Sequence, residues 1–454
     1  MIKLSCIKEE VYDMKIAVAG TGYVGLVTGV ALAHIGHNVT CVDVDKEKID
    51  KMKKGISPIY EQDLEKLMRE DSDRLDYTLD YKRAYKDADV IIIGVGTPER
   101  EDGSANLDYV HSVCEQIAES LEKDCVVVLK STVPIGTNDE IEKKLNSEVK
   151  KGIKVYVASN PEFLAQGTAV HDTLYASRIV VGTENEFAAD VMQKMYEPLT
   201  KEPYNVPYLH TSRRSAEMIK YASNDFLALK ISYINEIANL CKKLGANIED
   251  VAKGMGYDSR IGNKFLKAGI GYGGSCFPKD TKALHWLGQI EGVELETIQA
   301  CISVNKKQKL VLFNELLNDF NGHIEGKTIS VLGLTFKPGT DDLRDAPSID
   351  NISMLLDYGA HVKAYDPIST ESFKKKINFK LANDGVKGTI AFFKNIDETI
   401  KDADAVMIMT EWPEIVNYDV KQYKKLMKTP RVYDGRNCYK LEDTKDIIYS
   451  SIGR

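Results

Sequence analysis

Residues 15–36, KIAVAGTGYVGLVTGVALAHIG, decide the fold of this chain. The apolar run KIAVA ends in a turn containing Gly20, Gly22 and Gly25, and an apolar segment of helical length follows. The first glycine permits a tight turn, the second lets the backbone approach a pyrophosphate, and the third allows helix and strand to touch. The free N–H groups at the start of the helix would bind the phosphates. The stretch therefore predicts a strand–turn–helix unit that binds a dinucleotide.

The second predicted strand, NVTCVDVD, carries an acidic residue, Asp43, 23 residues after Gly20. A carboxylate there accepts hydrogen bonds from the adenosine ribose and repels a 2′-phosphate, which predicts NAD rather than NADP. Lys48 is near enough in sequence to touch the same ribose, although a solvated helix charge explains it equally well. Thr97 and Thr132 follow later strands at the sheet edge where ligands bind, so they are further candidates.

The N-terminal half alternates apolar runs with segments of helical length. Most runs are continuously apolar, which is typical of a parallel sheet covered on both faces. The predicted strands are 15–20, 38–45, 89–96, 125–131, 153–160 and 177–183. This pattern predicts an α/β fold with an N-terminal Rossmann dinucleotide-binding domain.

Residues 212–243 contain neither Gly nor Pro and carry apolar residues at helical spacing. They predict one long central helix that connects domains or contacts a second subunit; a core helix broken once is the alternative. Four later strands, 327–336, 361–367, 402–410 and 430–437, repeat the first plan without its glycines. They predict a second, Rossmann-like C-terminal domain. The expected divisions are a tail (1–13), an NAD-binding Rossmann domain (14–210), a central helical domain with a cysteine loop (211–324) and a Rossmann-like domain (325–454).

Composition argues against several classes of protein. The 454 residues are 43% hydrophobic and 28% charged, and no apolar run approaches membrane-spanning length. The net charge of −8 argues against a nucleic-acid partner, which would favour a basic surface. The eight cysteines show neither C-x-x-C spacing nor a pattern with histidine, so we expect no metal. The first residues lack the apolar stretch of a secretory signal, and we expect reduced thiols in the cytoplasm.

Cys276 differs from an ordinary buried cysteine in its sequence neighbours. It follows Gly273-Gly274-Ser275 in a flexible, polar stretch and precedes Pro278-Lys279-Asp280. An exposed thiol beside cations is favoured as a thiolate and becomes nucleophilic, whereas a structural thiol is the alternative. Together with a dinucleotide fold, a reactive cysteine predicts aldehyde oxidation through a thiohemiacetal and a thioester.

Lys220 and Asn224 lie four residues apart on the predicted long helix, hence on one face. A cation and an amide so placed are suited to holding a negative oxygen. From these residues alone, an ordinary helix-surface pair is the stronger reading.

Six stretches resemble the UDP-glucose/GDP-mannose dehydrogenase family. They are STVPIGT (131–137), SNPEFLAQGTA (159–169), EMIKYASNDFLALKISYINEIA (217–238), GYGGSCFPKD (271–280), FKPGTDDLRDAPS (336–348) and YDGRN (433–437). The resemblance covers residues 14–454 in order. GYGGSCFPKD is similar to the UDP-glucose branch in particular. The GDP-mannose branch shares GGSC-x-PKD and is the nearest alternative, whereas the GGHC-type loop of the N-acetylated-sugar branch does not match.

The resemblance implies NAD-dependent, two-step oxidation of UDP-glucose at C6 to UDP-glucuronate. A first hydride transfer would give an aldehyde, to which Cys276 would add. A second hydride transfer would leave a thioester that water hydrolyses.

The family also implies roles for five further residues. Lys220 and Asn224 would stabilise negative oxygens, and Asp280 would orient or activate the water. Glu162 would do acid–base work, through a water that Thr132 also holds.

The resemblance completes the predicted binding sets. The cofactor set is Gly20, Gly22, Tyr23, Val24, Gly25, Asp43, Lys48, Thr97, Thr132, Gln166, Lys279 and Arg344. The substrate set is Glu162, Phe163, Leu164, Lys220, Asn224, Arg260, Phe265, Leu266, Lys267, Ala268, Gly269, Gly273, Lys337 and Arg436. Many members carry Glu where Gln166 stands, and because an amide cannot ionise, Gln166 is predicted to bind and not to act as a base. Arg260 would enter the partner's site in a homodimer or higher homo-oligomer.

Two other classes of protein remain open. A single-step hydroxyacid dehydrogenase of similar layout would need no thiol and would leave GGSCFPKD unexplained. A non-enzymatic NAD-sensing or structural protein would tolerate loss of Lys220, Asn224 and Cys276, yet all three are present. The yield of NADH per substrate separates these readings: two, one or none.

Overall fold

A computed structural model describes residues 13–384 and 387–454. The chain forms two compact units, one ending at Ala222 and the other beginning at Ser223. The finer division at residues 210 and 324 stays a prediction. Residues 1–12 of the predicted tail lie outside the described residues.

The first unit is built on an eight-stranded sheet. Its strands are β1 (Lys15–Ala19), β2 (Asn38–Val42), β3 (Leu75–Thr78), β4 (Val90–Ile93), β5 (Cys125–Leu129), β6 (Val155–Ser159), β7 (Ile179–Gly182) and β8 (Tyr208–Thr211). Their spatial order is β3-β2-β1-β4-β5-β6-β7-β8. The chain order reverses at β1, between β2 and β4, which is where such sheets bind ligands.

Two features of this sheet differ from the prediction. β7 runs antiparallel to β6, so the sheet is not wholly parallel. The edge strands β3 and β8 were not predicted, because they lack a continuous apolar run; two residues of β8 are exposed. The other six strands are confirmed at their predicted places.

Helices cover the strands of the first unit. They are α1 (Tyr23–His34), α2 (Lys46–Met52), α3 (Leu64–Glu70), α4 (Tyr81–Tyr85), α5 (Asp108–Ser120), α6 (Thr137–Glu148), α7 (Ala169–Leu174) and α8 (Glu186–Thr200). In α1 every residue from Gly25 to Ala33 is buried, which explains why this helix is apolar on all sides.

The predicted long helix is confirmed as α9 (Arg213–Leu244), which has 32 residues. Its apolar residues do not all face a core, as the sequence pattern suggested. Ile234 is buried, whereas Phe226 is 60% exposed and Leu240 is 52% exposed. Spacing alone cannot separate a buried face from an exposed apolar one.

The second unit contains the predicted second Rossmann-like sheet. Its strands are β9 (Thr328–Leu332), β10 (His361–Tyr365), β11 (Thr389–Phe392), β12 (Ala405–Ile408), β13 (Arg431–Asp434) and β14 (Ile448–Ser451). The order is β11-β10-β9-β12-β13-β14, and all five neighbouring pairs of strands are parallel. β11 and β14 were missed because each is a short edge strand with exposed residues.

Nine further helices belong to the described part of this unit. They are α10 (Ile248–Gly256), α11 (Phe277–Ile290), α12 (Glu296–Gln308), α13 (Val311–Asp319), α14 (Pro347–Asp357), α15 (Thr370–Asp384), α16 (Ile396–Ile400), α17 (Pro413–Val416) and α18 (Lys421–Leu426). α11 begins directly after Cys276, with Pro278 in its first turn, where a proline costs no hydrogen bond.

The glycines of the first turn have different physical duties. A Cβ on Gly25 would lie 2.0 Å from the carbonyl oxygen of Gly20, so this glycine lets α1 pack against the end of β1. Gly20 has φ +92°, a conformation that favours glycine. A Cβ on Gly22 would meet no atom within 4 Å, which leaves its side open for a ligand.

We expect Gly25→Ala to lower the free energy of unfolding by about 1–3 kcal/mol, the usual cost of overpacking. Chemical denaturation measures this quantity. Gly22→Ala is the matched control, because its methyl group enters open space, and it should change stability by less than about 0.5 kcal/mol. Equal losses in both variants would contradict the packing role of Gly25.

Candidate active site

Asp43 is held at the end of β2 by the turn after β1. Its Oδ2 accepts hydrogen bonds from the backbone N–H of Thr21 at 2.9 Å and from the Thr21 hydroxyl, and its Oδ1 accepts the N–H of Asp45 at 3.0 Å. Burial opposes ionisation, but these bonds and the nearby charge of Lys48, 3.8 Å away, lower the pKa of Asp43 below its usual value. The carboxylate is therefore ionised at neutral pH, as repulsion of a 2′-phosphate requires.

Two predicted cofactor residues meet at the ends of β4 and β5. The hydroxyl of Thr97 donates to the carbonyl oxygen of Thr132 at 2.8 Å, and the Ser131 hydroxyl donates to that of Val95 at 2.6 Å. These bonds join the loops that follow β4 and β5, and β4 is the strand beside β1, where the chain order reverses. Both predicted threonines thus lie at the ligand-binding edge.

Two other side chains of the glycine turn, those of Tyr23 and Val24, are partly buried. Tyr23 donates from its hydroxyl to the carbonyl oxygen of Tyr60 at 3.2 Å.

Glu61, which the sequence did not single out, is buried and accepts the N–H groups of Gly167 and Ala169 at 2.8 and 2.9 Å. It fixes the loop around Gln166.

Glu162 and Lys220 form a buried ion pair in the first unit. The Lys220 Nζ lies 2.8 Å from the Glu162 Oε1 and 2.7 Å from its carbonyl oxygen, and the side chains are 3% and 6% exposed. The second oxygen of Glu162 accepts the N–H of Leu164 at 3.0 Å. The Phe163 ring beside this pair has the Arg178 guanidinium 3.8 Å from its centroid.

A second buried lysine, Lys130, stands next to this pair and was missed. Its Nζ donates to the Asn160 Oδ1 at 3.0 Å. Burial lowers the pKa of Lys130 to about 8. The charge of Lys220 also lowers this pKa, whereas the charge of Glu162 raises it. The available signal was a lysine directly after the apolar run CVVVL, where a buried strand ends.

Glu217 is another residue that sequence reasoning missed. It lies one turn before Lys220 on α9, is 3% exposed, and accepts the N–H groups of Gly136 and Asn138 at 2.6 and 3.0 Å. The Asn138 side chain adds a third bond at 2.6 Å. The carboxylate therefore binds the start of α6 to α9, close in sequence to the predicted oxyanion-binding lysine.

In the second unit Asn224, Lys279 and Asp280 come together. The Asn224 Nδ2 donates to the Asp280 Oδ2 at 2.6 Å, and the Lys279 Nζ lies 2.9 Å from the Asp280 Oδ1. Asp280 is 1% exposed; its Oδ2 is hydrogen-bonded to Asn224, and its Oδ1 has Lys279 as a close charged neighbour. This arrangement fits a carboxylate that is fixed in place by an amide and a cation.

Cys276 ends the predicted polar loop and lies at the N-cap of α11. Its carbonyl accepts the Asp280 N–H at 2.8 Å, and its sulfur lies 3.7 Å from the Ser275 hydroxyl. The thiol is partly exposed, whereas Cys301 and four other described cysteines are buried. The positive end of a helix favours a negatively charged sulfur.

The segment from Phe265 to Gly269 divides between core and surface. Phe265 is partly exposed and has φ +65°, whereas Leu266 and Ala268 pack in the hydrophobic core of the second unit. Lys267 is exposed, with its Nζ 3.6 Å from a carboxylate oxygen of Glu411.

Two glycines of the substrate set are confined by packing. A Cβ on Gly269 would lie 3.1 Å from the carbonyl oxygen of Gly435, and one on Gly273 would lie 2.4 Å from that of Asp345. Close backbone packing accounts for both glycines without a ligand, so their substrate contacts stay predictions.

Arg436 is engaged mainly with backbone carbonyl oxygens. Its guanidinium donates to Met409 at 2.9 Å, to Phe336 at 3.1 Å and to Gly271 at 3.2 Å, and it lies 3.5 Å from Glu411. It therefore fixes loops at the ends of β9 and β12, and its contact with substrate stays a prediction.

Each remaining cation of the predicted binding sets has a contact with a residue one or two positions away in the sequence. Arg344 pairs with Asp342 at 2.6 Å and Arg260 pairs with Asp258 at 2.6 Å, and both arginines are largely exposed. The Lys337 Nζ lies 5.6 Å from the ring centroid of the adjacent Phe336. The ligand contacts of these three cations stay predictions.

Within residues 13–384 and 387–454, no group of three metal-ligating side chains is present. No described helix is long and apolar enough to cross a membrane.

Three family models match the chain in order. They describe the UDP-glucose/GDP-mannose dehydrogenase family: its NAD binding domain matches residues 14–200, its central domain 214–307 and its UDP binding domain 330–441. The first match confirms the predicted cofactor, NAD, and the three together confirm the resemblance.

Known proteins of similar sequence and structure match nearly the whole chain. UDP-glucose 6-dehydrogenase YwqF of Bacillus subtilis is 48% identical over 446 residues, which cover 97% of this chain and 98% of that protein. A UDP-glucose 6-dehydrogenase of Rhizobium meliloti is 45% identical over 97% of this chain and 100% of its own. The structure of a UDP-glucose dehydrogenase from Pyrobaculum islandicum matches with a TM-score of 0.87 and 34% identity, covering 98% of this chain and 99% of that chain. The chain therefore belongs to the UDP-glucose/GDP-mannose dehydrogenase family.

Proposed function

We propose that this enzyme oxidises UDP-glucose at C6 to UDP-glucuronate with NAD, through a covalent intermediate on Cys276. The observation that carries the proposal is the partly exposed Cys276 thiol at the N-terminus of α11, one turn from Asp280. Asp280 is held by Asn224 and Lys279. Relatives of 45% and 48% identity, named UDP-glucose 6-dehydrogenases, support the choice of sugar nucleotide.

The first unit offers a fitting place for the dinucleotide. Gly22 leaves open space beside the N-terminus of α1, and the ionised Asp43 stands at the end of β2. The bound NAD supplies a hydride acceptor. Asp43 binds ribose hydroxyls, and the N–H groups at the start of α1 bind phosphate oxygens.

The buried charges of the first unit suit the removal of a hydroxyl proton. When the C6 carbon loses a hydride, its hydroxyl must release a proton to give an aldehyde. Glu162 accepts this proton, through a water that Thr132 holds, and the Lys220 ammonium stabilises the negative oxygen that develops. The 2.8 Å contact holds the Lys220 amino group beside the Glu162 carboxyl group before substrate binds.

Cys276, Asn224 and Asp280 suit the second oxidation and the hydrolysis. The thiolate adds to the aldehyde carbon, and Asn224 donates a hydrogen bond to the resulting oxygen. Loss of a second hydride leaves a thioester. Asp280 takes a proton from water as the water oxygen attacks the acyl carbon, and the C–S bond breaks to restore the thiolate.

An exposed apolar stripe on α9 supports a homodimer. Phe226, Tyr233 and Leu240 recur every seven residues and are 60%, 48% and 52% exposed. Such a stripe favours burial against a second copy. In this dimer Arg260 enters the partner's substrate site and complements its anionic groups. The reduced cysteines of the described chain agree with a cytoplasmic enzyme.

The purified protein should convert UDP-glucose to UDP-glucuronate with two NADH per sugar, because alcohol and aldehyde are oxidised in turn. Absorbance of NADH and the mass of the product measure this ratio. A panel with GDP-mannose is the control for the sugar. Turnover of GDP-mannose with none of UDP-glucose would contradict the substrate, and one NADH per sugar would contradict the second oxidation.

Cys276→Ser should lower steady-state UDP-glucuronate formation by at least roughly 10³-fold, because a hydroxyl is far harder to ionise than a thiol. Cys438→Ser is the matched control, since Cys438 is the other partly exposed cysteine among the described residues. It should keep activity near that of the unmodified enzyme. Normal turnover in the Cys276 variant would make that thiol structural.

Mixing two inactive variants tests the shared site. Arg260→Ala and Cys276→Ser proteins, unfolded together in equal amounts and refolded, should regain about 25% of full activity, because each heterodimer holds one intact site. Size-exclusion chromatography with two distinct tags verifies that heterodimers form. Heterodimers without activity would place Arg260 in its own chain's site.

A further inference from the structure

Asp225, next to the site residue Asn224 on α9, is a buried carboxyl group without a protein partner. It is 1% exposed, and neither of its oxygens has a hydrogen-bond partner among residues 13–384 and 387–454. Other buried acids differ from it: Glu162 pairs with Lys220, and Glu217 accepts three N–H groups. Because buried polar groups are nearly always paired, this exception needs a physical explanation.

The surroundings of Asp225 offer little to stabilise an anion. Asp225, Ala228 and Ser232 lie on one face of α9, and all are buried. Ala228 packs in an apolar cluster with Tyr272 and Cys301. The Ser232 hydroxyl lies 3.2 Å and the Tyr272 hydroxyl 3.4 Å from the Cys301 sulfur, so both hydroxyls are directed to that thiol.

The neighbouring acid, Asp280, has what Asp225 lacks. One of its oxygens accepts the Asn224 amide at 2.6 Å, and the other lies 2.9 Å from the Lys279 ammonium. Two interacting buried carboxyl groups are not both ionised easily, and the proton resides on the one without a donor or a cation. Burial, and then the charge of Asp280, raise the pKa of Asp225 to about 8.

We propose that Asp225 is a positioning residue that stays protonated in the working enzyme and leaves Asp280 as the single negative charge of the pair. The proposal deepens the proposed function, since it rests on Asp280 activating the hydrolytic water. When Asp225 ionises, a second anion competes with Asp280 for the Asn224 amide and the Lys279 ammonium. The fixed geometry of Asp280 is then lost, and hydrolysis slows.

Two further titratable groups close to Asp225, Tyr272 and Cys301, do not change charge near pH 8. Tyr272 comes from the segment before α11 and Cys301 from α12, and burial raises the pKa of each above its ordinary value. Both therefore stay neutral near pH 8. In the first unit, Lys130 also has a pKa of about 8, so an alkaline loss of activity needs a test that separates it from Asp225.

The pH dependence of kcat with UDP-glucose, compared between variants, separates the ionisation of Asp225 from that of Lys130. We expect the activity of the unmodified enzyme to fall above about pH 8 and that of Asp225→Asn to persist about one pH unit further, because the amide cannot ionise. Glu236→Gln, an equivalent change at an exposed position of α9, should follow the unmodified enzyme. An unchanged alkaline limb in Asp225→Asn, or loss of its activity at every pH, would overturn the proposal.

A second experiment does not depend on turnover. Infrared spectra should contain the C=O band of a protonated carboxylic acid at pH 7, lost in Asp225→Asn and in Asp225→Ala but kept in Glu236→Gln. Persistence of the band in both Asp225 variants would overturn the proposal. Because this measurement needs no substrate, it determines the protonation state of Asp225 whether or not UDP-glucose is turned over. Absence of UDP-glucose turnover would refute the proposed function, and not the protonation of Asp225.

Thermal unfolding gives a third readout with a definite sign. The pKa of Asp225 is raised in the folded state, so the folded protein keeps a proton that the unfolded chain has lost. Stability from this group is complete below about pH 4 and is lost as pH rises towards about 8. The Tm of Asp225→Asn minus that of the unmodified protein should therefore increase across this window. A constant difference would contradict a buried, protonated Asp225.

Discussion

Three polar side chains buried on α9, those of Glu217, Lys220 and Asn224, pair with segments far along the chain, and the geometry of the candidate site depends on these pairings. An unpaired buried charge costs several kcal/mol, so each such side chain fixes the segment that satisfies it. Glu217 binds the start of α6, Lys220 binds Glu162, and Asn224 binds Asp280. Partners 56 to 79 residues away in sequence are thereby held in place. The helix positions chemical groups because it buries them.

A buried or partly buried carboxylate also fixes the turn at the switch point of each sheet. In the first unit, Asp43 follows β2 and accepts the N–H of Thr21 at 2.9 Å. In the second, Asp366 follows β10 and accepts the N–H of Leu334 at 2.7 Å and the indole N–H of Trp412 at 3.1 Å. A carboxylate after the neighbouring strand thus holds the turn in each unit. Asp43 stays partly accessible, as its proposed contact with a ribose requires, whereas Asp366 is buried and bonded to Trp412.

Charge is distributed differently in the two halves of the proposed chemistry. The first unit buries two lysines, Lys130 and Lys220, beside one carboxylate, Glu162, and this surplus of positive charge suits a developing oxyanion. The second unit buries two acids, Asp225 and Asp280, with one nearby cation, Lys279. Its surplus of acid favours a retained proton and a base for water. Alcohol oxidation and thioester hydrolysis have these opposite requirements.

Local patterns were enough to predict the strand–turn–helix unit, the cofactor NAD, the long helix and the second Rossmann-like sheet, because glycine spacing and apolar runs can be recognised within one segment. The sequence also singled out Cys276, whose neighbours Gly274 and Pro278 are unusual for a core cysteine. Which charged groups meet depends on the tertiary structure. Nothing in the sequence next to Lys130 or Asp225 marks either residue as unusual. The pKa of each is shifted because the side chain is buried near charged groups far away in the sequence, and no local pattern reveals such neighbours. Edge strands were missed for the same reason, since their pairing is decided by the sheet and not by their own residues.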